Sequence, residues 1–498
     1  TRAVSAGGPP LPILLLAALG LVAFGGIGSP LLRGRARAAD AAIALGLTSV
    51  AAALRLGLGA WGPFHVNGHG PTWLAGAAFD PRLIVNYGAG YPELFAAVAR
   101  CGFAAPDDAI FAANALLSAA APGLLFAIGR LAGVESRRAA LAAGLLVVDP
   151  ISIRFAATEA YWPSIIALAT GACAAFMAAA ATAREARPVR AITLVLAGAL
   201  LASQAARIHP IAWIPAALAP VSALAVPRAT GQQRWLGAAV AVLVDLAVVG
   251  ATSGAAIARV AREIGSTLMA PQPPQPLACV ALLATGVLTY AGARRVSSRW
   301  LVLGVAPHAL ALFITRDSFA QSLVWQWSYD RVYLGMVLLG LVGAFPAGHP
   351  RLARAAAAAA FVALAAMAPR IVAGRTTEHR EYRWLRGQLA ALGRGCSVAY
   401  VGRVGKRTLD FAIAPPLVEA HLDGNRPAPP PDATCGYYVR GSICASREGG
   451  AACDAVERRL VLREVARTRF PAEPTTDELP YDRPTVDVVL SRIAGARP

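Results

Sequence analysis

Apolar runs of about 20 residues recur along the first three quarters of this chain, the length at which a helix rising 1.5 Å per residue crosses a hydrocarbon core of about 30 Å. They fall near 10–31, 40–60, 108–130, 139–152, 161–182, 191–207, 210–227, 235–257, 277–292, 300–315, 329–346 and 355–372, with a shorter apolar stretch at 91–104. This pattern predicts an α-helical polytopic membrane protein of about twelve transmembrane helices, with the 139–152 run short for a full crossing. Composition points the same way. Of 498 residues, 56% are hydrophobic and only 15% charged, and the mean hydropathy is +0.54. A soluble domain carries about 25% charged residues, so a wholly globular cytosolic enzyme is excluded, and so is a disordered chain.

The net charge of +18 is distributed as membrane topology rather than as a phosphate-tracking stripe, so no nucleic-acid partner is expected. Residues 1–372 hold 27 basic and 13 acidic residues, and the excess lies in short turns between apolar runs. With Arg33, Arg35 and Arg37 on the cytoplasmic side, alternation brings Arg130, Arg137, Arg138, Arg187, Arg190, Arg294, Arg295 and Arg351 to the same side. The acids Asp80, Glu93, Asp107, Asp108, Asp149, Glu159, Asp317 and Asp330 then fall outside, so the polar chemistry is expected on the outer face of a bacterial cytoplasmic (inner) membrane. The arginines that directly follow the first run oppose its translocation as a signal peptide and predict an anchored helix.

Beyond residue 372 the composition changes, which divides the chain into a transmembrane part, 1–372, with a large outer loop at 61–107, and a small extracytoplasmic α/β domain, 373–498. An amphipathic helix is expected over 378–392, strands over 397–402, 408–414, 436–443 and 485–493, a second helix over 452–467, and a stiff proline-rich linker over 426–432. Cys396, Cys435, Cys444 and Cys453 all lie in this domain, where an oxidising compartment permits two disulfides with three possible pairings. A zinc site is the alternative, although the spacing lacks the short cysteine pairs of zinc ribbons.

Four polar segments interrupt the apolar pattern on the outer face. The longest, WGPFHVNGHGPTWLAGAAFDPRLIVNYGAGYPE at 61–93, brings together His65, Asn67, His69, Asp80, Tyr87, Tyr91 and Glu93. Loops of that length are functional or disordered, and its aromatic content argues against disorder; an interfacial loop anchored by Trp61 and Trp73 is the plainer alternative. The second, 149–162, carries Arg154 and Glu159, candidate ligand groups because charge near membrane depth is costly, or else a structural pair across a turn. The third holds Arg207 and His209, and the fourth Arg316, Asp317, Arg331 and Tyr333.

In order along the chain, these segments resemble the polytopic C-superfamily (GT-C) glycosyltransferases, including protein O-mannosyltransferases and lipid A aminoarabinose transferases. The resemblance lies in YGAGYPELF at 87–95, in GLLFAIGRLAGVESRRAALAAGLLVVDPISIRFAATEAYW at 123–162 and in DRVYLGMVLLGL at 330–341, and covers residues 40–372. It implies transfer of a sugar from a polyprenyl-phosphate donor in the lipid bilayer to an extracytoplasmic glycan, lipid or protein acceptor. Arginines would hold the phosphate and a carboxylate would take the proton of the acceptor hydroxyl. Arg154, Arg207, Arg316 and Arg331 are the phosphate candidates. The family places its catalytic aspartate at the start of the first outer loop, where Phe64 to His69 offers no carboxylate, so the base is expected at Asp80, then Glu93, with His65 or His69 as alternatives. No cofactor is indicated; a divalent cation on His65 and His69 is the alternative. Two other functions remain open: a polytopic transporter or lipid flippase, and a catalytically silent scaffold protein of envelope glycan assembly.

Overall fold

The computed structural model describes residues 35–62, 73, 74, 77, 90–100, 106–183, 187–209, 212, 216, 219–226, 377–392, 396–401, 418–422, 435–445, 447–472 and 483–496. Within them the membrane part consists of α1 (Arg35–Leu58), α2 (Gly90–Ala99), α3 (Pro106–Leu131), α4 (Ser136–Val147), α5 (Pro150–Ala156), α6 (Tyr161–Ala183) and α7 (Pro188–Ile208), followed by a 3-10 turn at Pro220–Ala225. Four of these helices, α1, α3, α6 and α7, are long and apolar enough to cross a membrane, which makes the chain a multi-pass membrane protein. The expected spans at 10–31, 235–257, 277–292, 300–315, 329–346 and 355–372, and most of 210–227, lie outside the described residues.

Helix α6 is buried along nearly its whole length, whereas α1 and α7 turn Leu45, Val50, Ile192 and Leu196 outward, as lipid-facing helices must. Small residues set the helix crossings. A Cβ at Gly123 of α3 would collide with Thr48 and with the Ala44 carbonyl of α1, and one at Gly198 of α7 would crowd the Phe176 ring of α6 at 3.1 Å. Close approach of this kind is how helices gain contact in lipid, where no hydrophobic drive separates side chain from solvent. The short 139–152 run resolves into two elements. Helix α4 has 12 residues, about 18 Å, and stops before Asp149, which begins α5 by accepting a hydrogen bond from the Ser152 N–H at 2.9 Å, with Pro150 in the first turn.

The C-terminal domain contains α8 (Thr377–Leu389), β1 (Ser397–Val401), β2 (Val418–Leu422), β3 (Gly436–Arg440), a 3-10 turn at Ser442–Ala445, α9 (Arg447–Glu457), β4 (Leu460–Pro471) and β5 (Thr485–Ala496). Its five-stranded sheet has the order β2-β1-β3-β5-β4; β1 runs parallel to β2 and β3, and β5 antiparallel to β3 and β4. One face, with Val398, Tyr400, Val439, Val486, Val488 and Leu490, packs with Tyr382, Leu385 and Leu389 of α8. The other, with Ala399, Val401, Tyr438 and Leu460, packs with Cys453 and Val456 of α9. Disulfides join Cys396 to Cys435 and Cys444 to Cys453, in place of the zinc alternative.

The helix expected over 452–467 is corrected: α9 ends at Glu457 and 460–471 is strand β4. β4 pairs along β5 with a bulge between Glu464 and Ala466, and this cross-strand pairing makes 460–471 a strand. The strand expected over 436–443 ends at Arg440 in a 3-10 turn, and β2 is an additional element. The expected strand at 408–414 and the linker at 426–432 lie outside the described residues.

Candidate functional site

The two ends of the helix bundle differ in kind. At the arginine-rich end, Asp40 of α1 accepts from Arg130 Nε at 2.9 Å and from Ser136 Oγ at 2.8 Å, and Arg130 Nη1 also donates to the Val134 carbonyl at 2.6 Å. These polar bonds tie together α1, α3 and the start of α4. The opposite end holds Glu93, Asp107, Asp149, Arg154, Glu159, Arg207 and His209, a larger gathering of charged and polar groups, most of them buried.

The turn that carries Glu159 is built by Asn114 of α3. Its Nδ2 donates to the carbonyls of Thr158 and Ala160, both at 2.9 Å, while its Oδ1 accepts from Ser164 Oγ at 2.6 Å. Thr158 Oγ1 donates to the Phe155 carbonyl at 2.6 Å and accepts from the Ala160 N–H at 3.0 Å. The buried amide of Asn114 thereby satisfies a non-helical turn that the apolar surroundings would otherwise penalise. Glu159 is fully buried and Arg154 nearly so, with its guanidinium carbon 5.1 Å from the centroid of the Phe155 ring.

Helix α2 meets the end of α7 at Gly90. A Cβ there would collide with the Arg207 carbonyl, and Gln204 Nε2 donates to the Gly90 carbonyl at 2.6 Å. The close approach sets Glu93 against Arg207, whose Nη2 lies 2.6 Å from Oε1 and from Oε2. Two residues further, His209 stacks on Tyr161 at the start of α6, ring centroids 4.2 Å apart and planes 4° from parallel. Trp73 bridges onward, stacked on Tyr91 at 5.5 Å and edge-on to Tyr161 at 5.2 Å. Tyr91 is wholly buried; that burial, and then the charge of Glu159, push its phenol well above the usual tyrosine range. Its hydroxyl makes no hydrogen bond among the described residues.

Thus Tyr91 and Glu93, Arg154 and Glu159, and Arg207 and His209, six of the sequence candidates from three separate segments, meet at one end of the bundle. His65, Asn67, His69, Asp80 and Tyr87, and the fourth segment with Arg316, Asp317, Arg331 and Tyr333, lie outside the described residues. Among the described residues no three histidine, cysteine, aspartate or glutamate side chains gather as a metal site.

Sequence reasoning missed Asn114, whose signal is a lone amide inside an apolar run, and Trp73 and Tyr161 as the aromatic bridge. It also missed the seat of the C-terminal domain. Tyr382 of α8 donates to Asp107 Oδ2 at 2.6 Å, and Arg386 lies 2.6 Å from Asp107 and 2.9 Å from Asp108, at the start of α3. The domain therefore sits at the same end of the bundle as the buried polar cluster.

Arg55 of α1 is buried beneath α5, donates at 3.3 Å to the carbonyls of Ala51 and Leu146, and has Asp149 as its charged neighbour. The chain then leaves α1 through Trp61, which takes the left-handed φ of 49° and returns its indole N–H to the Leu56 carbonyl at 2.9 Å.

No protein-family model matches the chain, and no curated protein matches it. Solved structures of the Archaeoglobus fulgidus oligosaccharyltransferase are similar to this chain at low identity. The apo form is 10% identical with a TM-score of 0.49 over 91% of this chain and 76% of that one. A complex with zinc and sulfate is 11% identical, with a TM-score of 0.48 over 88% and 72%. A form tethered by a disulfide to an acceptor peptide containing the NVT sequon is 11% identical, with a TM-score of 0.45 over 88% and 74%. Likeness at that level assigns no donor, acceptor or activity.

Proposed function

We propose that this chain is a membrane glycosyltransferase of the C-superfamily kind, which moves a sugar from a polyprenyl-phosphate donor to an acceptor on the outer side of the bacterial cytoplasmic membrane. The observation that carries this reading is the convergence of Arg207, held by Glu93, with the stacked pair Tyr161 and His209 at one end of the bundle. An oriented guanidinium beside a buried aromatic face suits a phosphate joined to a sugar ring: the arginine offers charge-assisted hydrogen bonds, and the aromatic rings offer an apolar face.

In this mechanism Arg207 and Arg154 hold the phosphate, and Glu93 fixes the direction of Arg207. The bond between the sugar's anomeric carbon and the phosphate oxygen breaks. The electron pair leaves on the polyprenyl phosphate, where the arginines stabilise the gathering negative charge. The acceptor hydroxyl forms the new bond and gives its proton to a base. Asp80 is the first candidate, followed by His65 or His69, since Glu93 is engaged by Arg207.

Sugar transfer by the purified protein, supplied with a panel of polyprenyl-phosphate sugars, tests the reading. Asp80→Asn is expected to lower kcat by about a hundredfold or more with donor binding intact, the usual scale of a general base. Glu93→Gln is expected to act mainly on donor KM through Arg207. Donor binding without transfer by the wild type would establish the catalytically silent scaffold instead, a reading favoured by the engagement of Glu93. Neither binding nor transfer would overturn both and leave the transporter or flippase.

A further inference from the structure

We propose that the β4–β5 ribbon of the C-terminal domain rests on the membrane surface through Arg463 and Arg492, which bind the phosphates of anionic lipid headgroups. The register places these two arginines directly opposite each other. Like charges in that position repel, and both side chains are exposed. Among the described residues neither has an ion-pair partner, whereas the neighbouring arginines of β4 do. Arg467 pairs with Glu464 at 2.7 Å, and Arg469 with Asp487 at 2.8 Å. The ribbon therefore neutralises its other charges internally and leaves one concentrated cationic pair open.

The face on which that pair lies points to its partner. Alternation along β5 puts Arg492 on the same side as Val486, Val488 and Leu490, which is the side covered by α8, and pairing puts Arg463 there too. Helix α8 in turn is bonded to Asp107 and Asp108 at the end of the candidate membrane span α3. The sheet face thus stands close to the end of a span. Arg463 and Arg492 extend beyond the part that α8 covers, beside the exposed Val461. An uncovered face with two arginines and a valine, held there, meets headgroups, and anionic phosphates complement its charge.

Hydrogen exchange of the full-length protein in nanodiscs tests this, comparing phosphatidylcholine alone with phosphatidylcholine mixed with phosphatidylglycerol. The anionic discs should slow exchange at 461–463 and 491–493 by about fivefold or more, the factor one basic residue supplies at an anionic surface, and added salt should reverse the effect. R463Q/R492Q should abolish the protection. R463K/R492K should keep most of it, and R467Q/R469Q should leave it unchanged. Unchanged exchange in β1, which α8 also covers, shows that each variant is folded. Equal exchange in both kinds of disc, or protection that survives R463Q/R492Q, would overturn the proposal. Protection by added glycerol phosphate in phosphatidylcholine discs, without anionic lipid, would overturn the lipid assignment in favour of a soluble phosphate site.

Discussion

Compared end to end, the helix bundle shows two uses of polar residues inside a membrane protein. At the arginine-rich end, Asp40, Arg130 and Ser136 satisfy one another across α1, α3 and the start of α4, and the result is a fastening. At the other end Arg55, Arg154, Glu159 and His209 are buried, and Glu93 and Arg207 come from segments more than 100 residues apart. Burying charge costs several kcal/mol per group unless it is paired and hydrogen-bonded, so a fold that collects it at one place needs close backbone contacts to fix it there. Gly90, Asn114 and the turn after α5 supply those contacts.

The largest expected effect follows from Gly90, where the backbone of α2 touches that of α7. Gly90→Ala should destabilise the protein by about 2–3 kcal/mol, because the obstacle is the Arg207 carbonyl and not a side-chain tip that can swing away. Gly46→Ala, in α1 with nothing near the added methyl, should be neutral or stabilise by up to about 1 kcal/mol. Thermal unfolding in detergent reads both, and equal shifts would break the contrast.

Next in size is the seat of the C-terminal domain. Arg386→Ala removes the cation from Asp107, whose side chain is only 2% exposed, and should loosen docking by about 1–3 kcal/mol. Asp107→Asn added to Arg386→Ala should recover part of the loss, since it removes the uncompensated charge. Faster proteolysis between α3 and α8 in the single variant, partly reversed in the double, is the expected reading.

Smallest is the comparison of the two ion pairs by double-mutant cycles. Glu93 and Arg207 are partly exposed and should couple by about 1 kcal/mol or less in stability. Asp40 and Arg130, with a carboxylate 5% exposed, should couple more strongly. The reverse order would mean that the site end is also the better fastened one.

The four long helices were legible because apolar runs of span length admit little else. Their polar end was legible because Arg154, Glu159, Arg207 and His209 stand out against alanine and leucine. Partnerships were not: nothing local to Glu93 indicates Arg207, which reaches it only because α2 crosses α7 at a glycine. In the C-terminal domain, 452–467 misled because a helix, α9, does end inside it at Glu457, and the residues that follow become strand β4 only through pairing with β5, which begins at Thr485. The cysteines told of disulfides but not of their pairing, which the sheet decides by bringing the start of β1 beside the start of β3.

The central claim is that one end of the bundle is a phosphate-sugar site and the other a fastening. Binding of a polyprenyl-phosphate sugar to the purified wild type, Arg207→Gln and Arg130→Gln tests it most directly. The account predicts at least about tenfold weaker binding, about 1.4 kcal/mol, for Arg207→Gln and unchanged binding for a folded Arg130→Gln. Equal loss in both variants, or full affinity in Arg207→Gln, would contradict it.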